Sequence, residues 1–171
     1  HASNAQLRDI AERACHALGI HYGVAHFEAR ITPAGEIKII EVGARTGGDT
    51  IMDLVERSYG INPYELHVAS HLNALKPLAE PLVPKGLSAV AFIKAPVGTI
   101  EKVTLPASLP DHIVNMQITA KPLDTSKKLE SWKTREGSVE FFWPSRKPET
   151  GFNEHLRTAD DLATTLFTLQ I

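Results

Sequence analysis

HFEARITPAGEIKIIEVGARTGGD, residues 26–49, decides how this chain is read. Two strand-like runs, YGVAHFEARI and EIKIIEV, are rich in β-branched residues and are joined by TPAG. Pro33 suits the second position of a type I turn and Gly35 the last. Side chains alternate faces along a strand, so His26, Glu28 and Arg30 share one face of the first run, and Ile37, Ile39, Glu41 and Gly43 share one face of the second. Two geometries follow from the turn. A four-residue loop sets Glu28 opposite Ile39 and makes Glu28 and Glu41 diagonal neighbours, about 7 Å apart at Cβ. A type I turn with a bulged Gly35 shifts the register by one and parts the acids, unless a second bulge restores them.

If the acids meet, their chemistry is that of a magnesium site. Magnesium takes oxygen ligands and is commonly held by one or two carboxylates together with substrate phosphates. Arg45, just past the strand end, supplies a guanidinium for a phosphate or a developing oxyanion. Gly47 and Gly48 allow close backbone approach to a ligand, and the helix expected after them offers free N–H groups at its start. His26 lies on the Glu28 face as a candidate substrate contact or an orienter of Glu41; a hydrogen-bonded sheet histidine is the alternative. Taken singly, each residue also reads as an ordinary surface feature. Their conjunction within 25 residues points to a corner that binds metal and nucleotide.

Outward from this stretch, AQLRDIAERACHAL (5–18) has helical spacing, with Ser3 or Asn4 as cap and Gly19 as stop. DTIMDLVERSY reads as a helix capped by Asp49 or Thr50. NPYELHVASHLNAL reads as another, with Asn62 as N-cap and Pro63 at the first helical position. KPLAEPLVPKG (76–86) reads as a linker. Beyond it, LSAVAFIKA, GTIEKVTL, IVNMQITAK and GSVEFFWPS read as strands, and TADDLATTLFTLQI as a closing helix capped by Thr158. The charged stretch TSKKLESWKTREG (125–137) reads as a loop, and Trp132 and Trp143 as packing residues. The expected class is α+β, or mixed α/β, in two unequal parts: 1–75, and 87–171 after the linker.

The 171 residues carry a net charge of −2, so no basic stripe suits nucleic acid. One cysteine, Cys15, excludes an internal disulfide. No apolar run reaches the ~18 residues of a membrane span, and no signal peptide is evident, so a cytoplasmic protein without membrane partners is expected. His67 and His71, four apart, lack the third ligand that a zinc site needs.

The pattern G-x-x-H-x-E on one strand, I-I-E-x-x-x-R on the next, then G-G and a helix running into YGINPYE resembles the C-terminal part of an ATP-grasp domain. Residues 85–171 resemble, more loosely, the small domain that follows the grasp in carboxylate–amine ligases of the amino-acid-ligase and carnosine-synthase type. The resemblance implies a ligase that phosphorylates a carboxylate with ATP and passes the acyl group to an amine. Glu28 and Glu41 match the magnesium-binding acids (manganese being an alternative ion), and Arg45 matches the arginine that contacts phosphate and the acyl phosphate. Many members carry asparagine where this chain has Gly43. The lobe with nucleotide-binding lysines is not in this sequence, which together with the opening HASNA suggests a fragment that is inactive without the remaining grasp lobes of a parent chain. A biotin-carboxylase-like or carbamoyl-phosphate-like enzyme, and a non-catalytic binding or assembly module that keeps the hairpin, are the alternatives.

Overall fold

The computed structural model describes residues 4–76, 78, 82–145 and 154–170. It comprises two compact units, residues 1–56 with 60–82, and residues 57–59 with 83–171.

The first unit opens with α1 (Asn4–Ala17). The helix ends as expected at Gly19, whose φ of 72° is a left-handed value that glycine adopts without steric cost. The Ser3 cap and the Asn4 side chain lie outside the described residues. Strands β1 (His26–Ile31) and β2 (Ile37–Gly43) form a two-stranded antiparallel sheet. The turn between them is tight: Gly35 N–H donates to the Thr32 carbonyl at 2.9 Å and Thr32 N–H to the Glu36 carbonyl at 2.8 Å. Gly35 sits at φ 83°. A type I turn followed by a left-handed residue is a common three-residue hairpin loop.

α2 (Ile51–Tyr59) follows. Its N-cap residue is Thr50, but the expected side-chain cap is not made: Thr50 is left-handed at φ 64°, which turns its hydroxyl away from the helix N–H groups. α3 (Pro63–His71) starts as its sequence requires, with the Asn62 side chain accepting from the N–H groups of Tyr64 and Glu65 at 2.9 and 3.2 Å. It ends at His71, short of the expected Leu75. His67 Nδ1 accepts a hydrogen bond from Val24 N–H at 3.0 Å, a structural task, and the His67 and His71 rings meet edge to face. Among the described residues no group of three His, Cys, Asp or Glu side chains forms a metal cage.

The second unit holds two three-stranded antiparallel sheets. One has the order β3 (Gly86–Ile93), β7 (Gly137–Pro144), β5 (Ile113–Ile118); the other has β6 (Thr125–Ser126), β4 (Gly98–Val103), β8 (Phe167–Leu169). α4 (Glu154–Leu166) packs on β3. Ala89, Ala91 and Ile93 recur every second residue of β3 and are buried, while Ala159, Ala163 and Leu166 recur at helical spacing on α4. Small side chains on both surfaces let helix and sheet approach closely around Ile100, Val139 and Phe141, all 0% exposed. Trp143 packs as expected, its ring 5.4 Å from that of Phe141 with 2° between the planes; the Trp132 side chain lies outside the described residues.

Three expectations change here. The last helix begins at Glu154, so Thr158 lies inside it rather than capping it. The chain then leaves the helix, and Phe167 and Leu169 pair with Val103 and Ile100 of β4. Alternate side chains of FTL face the core, which a strand achieves and a continued helix does not. The 125–137 stretch, read as a loop, contains β6 and a 3-10 turn at Trp132–Thr134.

Gly137 is required by packing. A Cβ there would lie 2.4 Å from the Gln117 carbonyl oxygen, a backbone atom of the neighbouring strand. Gly137→Ala is expected to destabilise the second unit by about 1–3 kcal/mol through overpacking, read as a lower urea midpoint with unchanged m-value. An unchanged midpoint would show that the β5–β7 spacing can relax.

Candidate functional site

The hairpin takes the second of the two registers, with the restoring bulge. Ile31 pairs with Ile37, Arg30 with Lys38 and Ala29 with Ile39; the ladder then slips, leaving Ile40 without a partner, and Glu28 lies directly opposite Glu41. His26 is opposite Gly43. The acids are thus direct rather than diagonal cross-strand neighbours, a pairing in which Cβ atoms are about 4.5–5.5 Å apart. Two like charges so placed repel one another unless something neutralises them.

Each carboxylate has a cationic or hydrogen-bonding partner on one oxygen only. Glu28 Oε1 lies 2.7 Å from His26 Nε2, and Glu41 Oε1 accepts from Arg45 Nη2 at 2.5 Å. The second oxygen of each has no hydrogen-bond partner among the described residues. A pair of half-used hard oxygens on adjacent strands fits a magnesium ion that draws its remaining ligands from water and phosphate. The Arg45–Glu41 pair is half exposed, so its worth to stability is small, about 0.2–1 kcal/mol. Its consequence is geometric, because it fixes the guanidinium beside the acids. A second donor, Arg45 Nη1, bonds the Thr46 carbonyl at 3.1 Å.

The glycines explain how Arg45 gets there. A Cβ at Gly43 would lie 3.3 Å from both Cγ and Nε of Arg45. Arg45 folds back over the space that a residue-43 side chain would occupy, so asparagine at this position would compete with it. Gly47 is buried, and a Cβ there would meet His26 Nδ1 at 3.1 Å and Met52 Cε at 3.3 Å. The loop therefore rests on the ring that holds Glu28. At Gly48 a Cβ would meet nothing within 4 Å, leaving its backbone open to approach.

Sequence reasoning missed the next two residues. Asp49 and Thr50 both have positive φ, 51° and 64°, and the Thr50 Oγ1 is buried with no hydrogen-bond partner. A β-branched residue in the left-handed region is a costly conformation that concentrates at functional sites. The only signal in the sequence was a glycine pair followed by two residues that can cap a helix.

No protein-family model matches the sequence, and no curated protein matches it. Solved structures do match. L-amino acid ligase from Bacillus licheniformis is 24% identical with a TM-score of 0.72, over 100% of this chain and 43% of that one. Phosphoribosylglycinamide synthetase from Anaerococcus prevotii is 18% identical with a TM-score of 0.69, over 93% and 40%. Biotin carboxylase from Campylobacter jejuni, solved as an ATP complex, is 17% identical with a TM-score of 0.58, over 97% and 36%. The fold is that of part of an ATP-grasp ligase. The chain spans about two fifths of the length of the first two of these structures. No described helix is long and apolar enough to cross a membrane.

Proposed function

We propose that this chain is the metal- and phosphate-binding part of an ATP-dependent carboxylate–amine ligase. The observation that carries the reading is the register that sets Glu28 against Glu41, with Arg45 held on Glu41. In the proposed reaction a substrate carboxylate oxygen attacks the γ-phosphorus of ATP, ADP leaves, and an acyl phosphate forms. A substrate amine then attacks the acyl carbon and inorganic phosphate leaves. Glu28 and Glu41 would hold magnesium, or manganese, whose charge supports the phosphate oxygens. Arg45 places a fixed guanidinium where phosphate charge develops, and such preorganised donors act without reorganisation during the step. Gly47 and Gly48 let the loop lie close to that charge. His26 orients Glu28 through its 2.7 Å contact and stands at the edge of the substrate space.

The likeness to the amino-acid ligase, higher in TM-score than that to the biotin carboxylase, favours an amino acid or another small carboxylate and a small amine as substrates. The ATP adenine and the lysines that grip its phosphates would come from further lobes of a longer parent chain, in a cytoplasmic setting. The exposed apolar side chains of the first unit, among them Ile39, Ile40, Val68 and Leu72, support a partner lobe that covers them.

The test supplies the parent protein with ATP, magnesium and a panel of amino acids and follows ADP and phosphate. Release of ADP that needs both a carboxylate and magnesium supports the ligase. No turnover across the panel, with retained binding of another protein, would replace it with a non-catalytic module. Turnover with bicarbonate in place of an amine acceptor would move it to the carboxylase type. This chain alone is expected to show no ATP hydrolysis, and hydrolysis abolished by Glu41→Ala would overturn its dependence on other lobes.

A further inference from the structure

The second unit contains a cavity that the ligase reading does not use. Its volume is about 370 Å³, within the range of small-molecule sites. Thr119, Asp124–Lys127 and Lys133–Glu136 are among the residues that line it.

Its floor is a closed polar network. Lys94 Nζ donates to Glu136 Oε1 and Oε2 at 2.6 and 2.8 Å and to Ser126 Oγ at 2.8 Å. Ala95 N–H donates to Glu136 Oε2 at 3.0 Å, and Ser126 Oγ donates to the Ala95 carbonyl at 3.0 Å. The Glu136 side chain is only 12% exposed and Ser126 only 2%. A buried carboxylate is tolerated when its charge is neutralised and its lone pairs are filled, and both conditions hold here. The network fixes the floor and cancels its charge.

The rim is different. Lys127, Lys133 and Arg135 face the same concavity, against one carboxylate that no cation offsets, Asp124, which accepts from Lys121 N–H at 2.8 Å. Arg135 is oriented by the Phe92 ring, its Cζ 3.6 Å from the ring centroid. That stacking uses the face of the guanidinium, while its five N–H donors point outward in the plane. Like charges gathered over a neutral, rigid, hydroxyl-bearing floor raise the local concentration of anions.

We propose that this cavity binds a small organic anion, carrying a carboxylate or a phosphate, between Lys127, Lys133 and Arg135 over the Lys94–Glu136–Ser126 floor. The site lies wholly within the second unit and needs no ATP, so its test stands or falls apart from the ligase reading.

The experiment titrates the chain separately with inorganic phosphate and with succinate, at constant ionic strength in chloride, and follows backbone amide shifts. Saturable shifts confined to Thr125–Lys127 and Thr134–Glu136 are expected with at least one anion, and the tighter arm tells a phosphate from a carboxylate ligand. Lys127→Gln combined with Lys133→Gln is expected to weaken binding about tenfold or more, as loss of charge-assisted hydrogen bonds does. Asp124→Asn, which keeps an oxygen for Lys121 N–H and removes the opposing charge, is expected to tighten it. The unchanged amide spectrum of the rest of the unit reports that each variant is folded. Absence of saturable shifts with both anions, or affinities that ignore all three substitutions, overturns the proposal.

Discussion

Glu41→Ala in the full-length protein is expected to lower carboxylate-dependent ADP release by roughly 10²- to 10³-fold, the cost typical of removing one preorganised electrostatic contact from an active site. Two losses combine at this residue. One oxygen holds Arg45, so alanine frees the guanidinium from its place beside the acids. The other oxygen is half of the proposed magnesium pair, directly across the strands from Glu28. Glu41→Gln separates the two, because its amide oxygen still accepts from Arg45 but carries no charge for the metal. If the metal role dominates, Gln and Ala lose similar rate and excess magnesium recovers part of it. If the arginine role dominates, Gln retains most of the rate. The fold should be indifferent to both changes, since the Glu41 side chain is 47% exposed and its ion pair is a surface one. Unchanged turnover in Glu41→Ala would remove the metal and phosphate reading of the hairpin.

How far the sequence carried depended on whether a signal was local. Asn62-Pro63 was legible because a cap is a two-residue interaction, and the structure makes both of its hydrogen bonds. The acids, the arginine and the glycine pair were legible as residue types at close spacing. Their register was not, because it depends on a slip in the ladder at Glu28/Ala29 that leaves Ile40 unpaired. Nothing in IKIIEV marks one isoleucine for bulging; the choice is made by what each strand face packs against. The strand β8 was hidden for a similar reason. Phe167 and Leu169 continue an apolar pattern that a helix also satisfies, and only β4, more than sixty residues away in sequence, supplies the partner that makes it a strand. The Gly43–Arg45 relation was likewise invisible, because a missing side chain explains itself only once the neighbour that fills its space is seen.

Phe141→Ala is expected to cost about 3–5 kcal/mol, the usual range for deleting a buried phenyl ring. The ring is 0% exposed, on the central strand of its sheet, with Ala89 opposite on β3 and Ile113 opposite on β5. Alanine on one side cannot collapse into the void, and Trp143 and His112, stacked on the ring at 5.4 and 6.0 Å, lose their partner. Such a loss is a large share of the ~5–15 kcal/mol that stabilises an ordinary domain, so a fall in Tm well beyond 10 °C, or loss of cooperative melting, is expected. Ile40→Ala provides the contrast. Ile40 is as apolar, but it is 61% exposed and unpaired in the hairpin, so a change within about 0.5 kcal/mol is expected. Among the described residues of the first unit the buried hydrophobic side chain is Met52, whereas the second unit has a cluster of twelve such residues. Stability in this chain therefore resides in the unit without the acids, and the hairpin contributes chemistry more than cohesion. Equal melting shifts for Phe141→Ala and Ile40→Ala would refute that division, because they would mean the hairpin face is already covered.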